Sequence, residues 1–353
     1  MFEDNFKFAQ TLKANLGFDF NLLGIDWTAE AIYSKTLNDI YYKNLSVDKT
    51  GQTFGQVTGY DWDNRPMYER TTTGTPYSYV YALYNTSKGY TLNLSLKAEK
   101  HFNFGLDLMA SYTWTRSMSV NSGTSSVAGS NWMFNATYRD ANDPELSLSA
   151  YNVPHRIQAS AYYHTNYGAR KQWETTVGLI YQGRSGSPYV IEVYGDMNGD
   201  GANGNDSKDI YPLITKVLGP GFNGTLTEDQ QRSLMKQWVG DDSYMRDHRG
   251  EYFKRYADNL AFEHHFDVHL AQKYSFKVGG QLNSLELSFD IINLGNLLNK
   301  DWGHTYGDGF GRYFSPFNYE GNGVFKFDGT HVARNYDTYY SRWRGQLGLR
   351  YTF

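Results

Sequence analysis

Along most of this chain apolar and polar residues alternate one by one, in stretches of roughly ten. In residues 91–100, Leu92, Leu94, Leu96 and Ala98 fall on one face, and Asn93, Ser95, Lys97 and Glu99 on the other. After a short turn at Asn103, Phe104 and Gly105, the residues Leu106, Leu108, Ala110, Tyr112 and Trp114 alternate with Asp107, Met109, Ser111, Thr113 and Thr115. Side chains of an extended strand point to opposite faces in turn, so each stretch predicts a strand with one apolar and one polar face. About 9–11 residues is also the length that a tilted strand needs to cross a bilayer. The same pairing recurs at 6–20 with 25–36, at 155–164 with 173–182, and at 260–274 with 285–293. A lone stretch, 343–353, ends the chain, which makes nine predicted strands.

The spacing is lopsided. Turns inside a pair are short, whereas the connections between pairs are long, at approximately 41–87, 120–152, 185–258 and 297–340. Outer-membrane barrels have short periplasmic turns and long outer loops. A soluble sandwich more often turns every 8–12 residues. With short turns in the periplasm, the last strand runs inward and its C-terminus lies in the periplasm. Nine strands would leave two unpaired edges in lipid, and single-chain bacterial barrels have even strand numbers. The expectation is therefore that this chain is a fragment, with further strands upstream.

Composition agrees with an all-β membrane protein. Tyrosine occurs 31 times and aromatics reach 17%, while glycine stands at 35 and proline at 8. Tyr and Trp suit a boundary between apolar matter and water, because the ring is apolar and the OH or NH stays wet. Charged residues are 20% and the formal charge is −4, so no basic excess points to nucleic acid. With no cysteine, disulfides and thiolate metal sites are excluded. No run of 18 apolar residues exists, so a transmembrane helix is excluded too. The first ten residues, MFEDNFKFAQ, lack the basic-then-apolar layout of a secretory signal.

In the closing segment, Trp343, Gly345, Leu347, Leu349, Tyr351 and Phe353 face one way and the intervening residues the other. It resembles the terminal strand signal of outer-membrane proteins at Gln346, Gly348, Tyr351 and Phe353. That resemblance implies recognition by the barrel-assembly machinery through pairing with an exposed strand edge. Upstream, LSFDIINLGNLLNKDWG resembles the penultimate strand of TonB-dependent receptors and the N-L-L-N turn after it. Two further segments, YNVPHRIQASAYY at 151–163 and GRSGSPYVIEVYGDMNGDGANGNDSKDIYPL at 183–213, resemble Oar-like receptors of Bacteroidetes that carry a carboxypeptidase-regulatory-like domain. The three matches span 151–353 in the family's order, and residues 1–150 show barrel-like strands without a family signature. The resemblance implies a transmembrane β-barrel of about 22 strands with a plugged lumen. Residues 1–353 would supply approximately its last nine strands, without plug domain or signal peptide. The implied partners are outer-membrane lipid, TonB through a plug region missing from this chain, and a surface lipoprotein, with no nucleic acid.

DMNGDGANGND is the most chemical-looking stretch. Asp196, Asn198 and Asp200 occupy positions 1, 3 and 5 of a Ca²⁺-loop-like pattern, followed by Gly201 where a sharp turn is needed. Alternate oxygen donors can converge on one cation as the backbone curls. The Ala202 carbonyl and the carboxylate of Asp206 or Asp209 could complete the set. The pattern departs from an EF-hand, because position 12 is Ser207 rather than Glu and nothing suggests flanking helices. The stretch is a structural Ca²⁺ site, or a glycine- and asparagine-rich outer loop without metal. His264 and His265 are adjacent and face opposite sides of a strand, so with His269 they read as boundary or lumen residues. Inward polar groups such as Lys97, Glu99, Asp107, Arg156, Asp267 and Arg344 either touch substrate or plug, or simply wet the lumen. No G-x-S-x-G, H-E-x-x-H or G-x-x-x-x-G-K-[ST] occurs, so no enzyme is expected.

The leading expectation is an outer-membrane receptor barrel for active uptake of an oligosaccharide, a peptide or a metal chelate. The aromatic segments YDWDNRPMY and YGDGFGRYF could stack on sugar rings or pack the loops. The alternatives are a surface adhesion or structural β protein without transport, and a passive porin or outer-membrane enzyme on a smaller barrel.

Overall fold

The computed structural model describes residues 1–47, 55–60, 65–70, 79–123, 125–137, 140–200, 226–249, 251, 253–307, 313–321, 324–327 and 336–353. Among them nine long strands form one antiparallel meander: β1 Gln10–Leu22, β2 Ile25–Asn44, β3 Tyr90–Phe102, β4 Leu106–Ser119, β5 His155–Tyr167, β6 Trp173–Arg184, β7 Glu263–Val278, β8 Gln281–Ile292 and β9 Arg344–Thr352. Each pairs with its successor, which is the order that an up-and-down barrel wall requires. Among the described residues no pairing joins β1 to β9, so the sheet is a partial wall rather than a closed barrel.

The alternating stretches lie where the pattern put them, with shifted ends. β1 begins at Gln10 rather than residue 6, because the chain before it turns aside to the short strand Tyr81–Thr86: the Glu3 amide donates to the Leu83 carbonyl at 3.0 Å. β2 continues to Asn44, eight residues beyond the predicted end, because its outer part pairs with that same Tyr81–Thr86 strand.

Four tight turns lie at one end of the wall. Leu23-Gly24 (φ 57° and 67°) and Gly279-Gly280 (φ 56° and 89°) are two-residue hairpin turns whose positive φ at both positions matches the twist of the strands. Gly105 (φ 94°) closes β3 to β4, and a Cβ there would stand 2.1 Å from the His164 carbonyl oxygen on the neighbouring strand. Only glycine allows that approach.

Register fixes what each face carries. Leu16 lies opposite Ala31, Ala31 opposite Leu94, and Leu94 opposite Trp114. Further round, Val177, Leu270, Phe289 and Leu347 form another such row. These side chains are open to the surroundings: Leu94 is 43% exposed, Leu270 40% and Leu347 72%. A continuous apolar face of this extent is not stable in water and needs lipid over it. Aromatic pairs border the band at both ends. At the tight-turn end are Phe20–Trp27 (6.3 Å), Trp173–Tyr274 (4.5 Å) and Tyr351–Phe353 (5.8 Å). At the other end are Tyr33–Tyr90 (6.2 Å) and Tyr181–Phe266 (4.8 Å). The opposite face of the sheet is polar.

The described parts of the long connections are folded. Strand Pro188–Tyr194 pairs in parallel with Tyr313–Gly321, which pairs in turn with Val324–Phe327. Helix Glu228–Asp241 joins them, opened by a capping box in which Thr227 Oγ1 accepts from the Gln230 amide and Gln230 Oε1 accepts from the Thr227 amide. Val190, Ile191, Val193, Phe253, Phe317 and Phe327, all fully buried, form the larger apolar core. A smaller core gathers Val47, Tyr68, Trp132 and Ala141. Both lie in the connections, so the buried apolar interior belongs to a cap and not to the wall.

Candidate functional site

The inward face of the wall pairs many of its charges across neighbouring strands. His101 Nδ1 lies 2.7 Å from Asp107 Oδ1, His269 Nδ1 2.6 Å from Asp290 Oδ1, and Lys273 Nζ 3.3 Å from Glu174 Oε2. Lys97 and Glu99, two residues apart on β3, meet at 2.8 Å. This places the predicted inward polar residues on one face.

A cavity of about 630 Å³ opens where this face meets the cap. Strands β5 to β7 supply Arg156, Arg184, His265 and Asp267, while the connection from β8 to β9 supplies Thr305, Tyr306, Asp337 and Tyr340, and β9 adds Arg344. Its floor is held by one buried carboxylate. Glu263, directly across from Arg184, accepts from Arg184 Nε at 2.8 Å and from the Tyr306 amide at 3.1 Å. Thr305 Oγ1 stands 3.2 Å from His265 Nε2, so the last connection is tied to β7 at two adjacent residues.

The acids in the cavity already serve the backbone. Asp267 Oδ1 accepts from the Asn293 amide at 2.7 Å, and Asp337 Oδ1 from the Tyr339 and Tyr340 amides at 2.8 and 2.9 Å. The Arg156 side chain makes no hydrogen bond or ion pair among the described residues, and Arg344 lies over the Tyr339 ring at 5.3 Å. Guanidinium groups open to the cavity are planar fork donors, suited to carboxylate or phosphate oxygens.

The segment before β5 that resembles the receptor family works as a seam. Asn152 Oδ1 accepts from the Ser117 amide at 2.8 Å, and the Pro154 carbonyl accepts from the Thr115 amide at 3.0 Å, setting the entry of β5 against β4. In the second resemblance the N-L-L-N turn forms a single helical turn, Leu294–Leu298. Asn293 before it takes a left-handed φ of 58°, and its Nδ2 donates to the carbonyls of Gly303 and Ser341 at 2.8 and 2.9 Å.

Three of the predicted cation ligands lie together in one curl. Asp196 Oδ1 accepts from the amides of Asn198 and Gly199 at 3.2 and 2.6 Å, and Asn198 Oδ1 accepts from the Asp200 amide at 3.3 Å. Asn198 and Asp200 are buried, and the Asn198 carbonyl accepts from the Tyr68 amide at 2.7 Å, docking the curl on the smaller core. Ala202, Asp206 and Asp209 lie outside the described residues. Of the aromatic loop residues, Tyr68 is buried with its hydroxyl 3.3 Å from Asp140 Oδ1, a packing role, while Tyr306 lines the cavity.

On β9, Gln346 lies opposite Asp290 and Gly348 opposite Ser288 on the inward face, and Tyr351 opposite Leu285 on the outward face. The Tyr351 hydroxyl donates to Asn283 Oδ1 at 2.6 Å. Phe353, 81% exposed, ends the outward row.

Sequence reasoning missed Arg184, Asp337 and Tyr340 as lining of the cavity and Glu263 as the buried carboxylate that holds Arg184 there. The facing of Arg184 and Glu263 depends on register across a long connection, and no local signal in either strand records it.

The profile of the outer membrane beta barrel domain matches residues 2–317. No curated protein matches the chain. The alternating wall, the aromatic borders and this match agree: the chain belongs to the outer membrane β-barrel domain family, in the outer membrane of a Gram-negative bacterium.

Proposed function

We propose that the chain supplies wall strands and part of the outer gate of a TonB-dependent receptor, which takes up a scarce oligosaccharide, peptide or metal chelate. The observation that carries this reading is the cap tied over the inward face of the wall. A passive pore needs an open polar channel, whereas here a cap with its own apolar core is tied onto β6 and β7 over a cavity bearing open guanidinium groups. The resemblance in residues 151–353 supports it. TonB would act through a plug region, the barrel-assembly machinery would read Gln346, Gly348, Tyr351 and Phe353, and a surface lipoprotein would sit on the cap. The role is transport without catalysis.

The test is solute uptake by cells with and without this protein, each with TonB intact or inactivated. Uptake that needs both supports the receptor. Uptake through the protein that survives loss of TonB makes it a passive pore, and loss of surface attachment without any loss of uptake makes it an adhesin.

Within the cap, Ca²⁺ would be held by Asp196, Asn198 and Asp200, with oxygens from Ala202, Asp206 and Asp209, and would brace the loop. The curl with its buried Asp200 fits hard-cation chemistry, in which oxygen donors converge. Calcium titration of the protein should show binding that Asp196→Ala with Asp200→Ala abolishes. Identical titrations would end the proposal.

A further inference from the structure

The outward face of the wall is not evenly charged. Every carboxylate of β3 to β9 lies at an inward position of the register, Glu99, Asp107, Glu174 and Asp290 among them. Outward positions near the cap carry basic side chains instead: Lys35 on β2, Arg116 on β4, His155 on β5 and His264 on β7. From Leu106 to Arg116, β4 rises roughly 34 Å along its axis, or about 25 Å in height at a ~45° tilt. That height is the edge of the apolar band, so Arg116 stands at the level of lipid headgroups.

Arg116 and His155 form the densest part of this belt. His155 lies opposite Trp114, which makes Arg116 its diagonal neighbour on the same face. The Tyr112 hydroxyl is 2.7 Å from His155 Nδ1, with the two rings stacked at 6.1 Å. In the arrangement where Nδ1 accepts from that hydroxyl, Nε2–H is left to donate outward. Arg116 is exposed, and its side chain makes no hydrogen bond or ion pair among the described residues.

Lower on the same strands lies an apolar hollow of about 410 Å³. Ala98, Ala110, Ala159 and Ala161 form its floor, and Leu108, Leu179 and Tyr181 its rim. Ala98 lies opposite Ala110 and Ala110 opposite Ala159, so small side chains on three adjacent strands leave a depression in this face. An acyl chain fits such a depression and hydrogen-bonding solutes do not.

We propose that this face seats a phosphate-bearing lipid of the outer leaflet, with an acyl chain in the hollow and a phosphate at Arg116 and His155. Charge complementarity and the continuity of the hollow with the membrane-facing band select that occupant. The fixed guanidinium supplies charge and a fork of donors, and His155 a second donor beside it.

The test uses the folded protein in non-ionic detergent, with bound lipid counted by native mass spectrometry after addition of diphosphoryl lipid A, dephosphorylated lipid A or inorganic phosphate. One diphosphoryl lipid A should be retained, and the dephosphorylated form at least five-fold less. Arg116→Gln with His155→Gln should lower retention at least five-fold, and Ala110→Phe, which fills the hollow, should do so with Arg116 and His155 both present. Arg350→Gln, inward on β9, should leave retention unchanged. Equal retention by wild type and both outward variants overturns the proposal, as does equal retention of the two lipid forms. If inorganic phosphate alone displaces the lipid, the site is a small-anion site and the lipid assignment fails.

Discussion

The guanidinium of Arg255 donates to the backbone carbonyl of Val120 at 2.9 Å, joining residues 135 positions apart. The same fully buried group also donates to Asn135 Oδ1 at 2.7 Å and to the Ser119 carbonyl at 2.6 Å. One side chain therefore satisfies the end of β4 and sews two long connections together. Such carbonyls cannot be left dry without cost, and a charge is buried only where it finds this many partners. Arg255→Met should loosen the cap by about 1–3 kcal/mol, the range for buried acceptors left without a donor. Limited proteolysis should then cut the connections much faster, while the wall keeps its heat-modifiable migration in gels. Equal protection of both proteins would show that the staple contributes little.

Tyr189 performs a similar task within the larger core. Its hydroxyl reaches Asp242 Oδ2 at 2.6 Å and Asp258 Oδ2 at 2.7 Å, and Asp242 also caps the short helix Ser243–Asp247 through the Met245 amide. Burial, with Asp258 and Asp242 alongside, pushes the hydroxyl far above its ordinary titration range, so it stays protonated and donates. Tyr189→Phe should cost about 1.5–3 kcal/mol, the range for hydrogen bonds to charged groups, measured as cap unfolding in urea. An unchanged midpoint would contradict this role.

The turn at Gly105 is a separate point of weakness. Its left-handed φ of 94° and the 2.1 Å that would separate a Cβ from the His164 oxygen leave alanine no unstrained place. Gly105→Ala should destabilise the wall by about 1–3 kcal/mol through overpacking and backbone strain. Gly17→Ala, where no atom lies within 4 Å of the new Cβ, serves as the neutral control in the same unfolding assay.

Phe353 touches little, so its value should lie in recognition. Removing it should reduce the folded outer-membrane fraction several-fold in cells, yet hardly alter refolding from urea into detergent. Equal losses in both settings would make it a stability residue and remove the assembly-signal reading.

These contrasts explain what could be read from the chain alone. The strands were legible because period two is a local requirement: Leu92, Leu94 and Leu96 declare a lipid face whatever lies beside them. The cap was not. Pro188–Tyr194 is buried along most of its length, so it shows no alternation, and its parallel partner Tyr313–Gly321 is far along the sequence. The helix at Glu228–Asp241 had a readable start in Thr227 and Gln230, but a weak apolar stripe gave little to read after it. The curl at Asp196, Asn198 and Asp200 was half legible: its glycine- and asparagine-rich spacing marks a turn, and its docking on Tyr68 depends on a distant element.

Everything above rests on which face of the wall meets lipid. With no native cysteine, single-cysteine variants report one position each. Ala31→Cys, Leu94→Cys and Leu270→Cys on one face should be compared with Glu30→Cys, Ser95→Cys and Ala271→Cys on the other, for labelling by a water-soluble maleimide in outer-membrane vesicles. Strict alternation is expected, with the first three protected and the second three modified. Equal labelling of both sets, or the reverse alternation, would contradict the membrane-spanning wall.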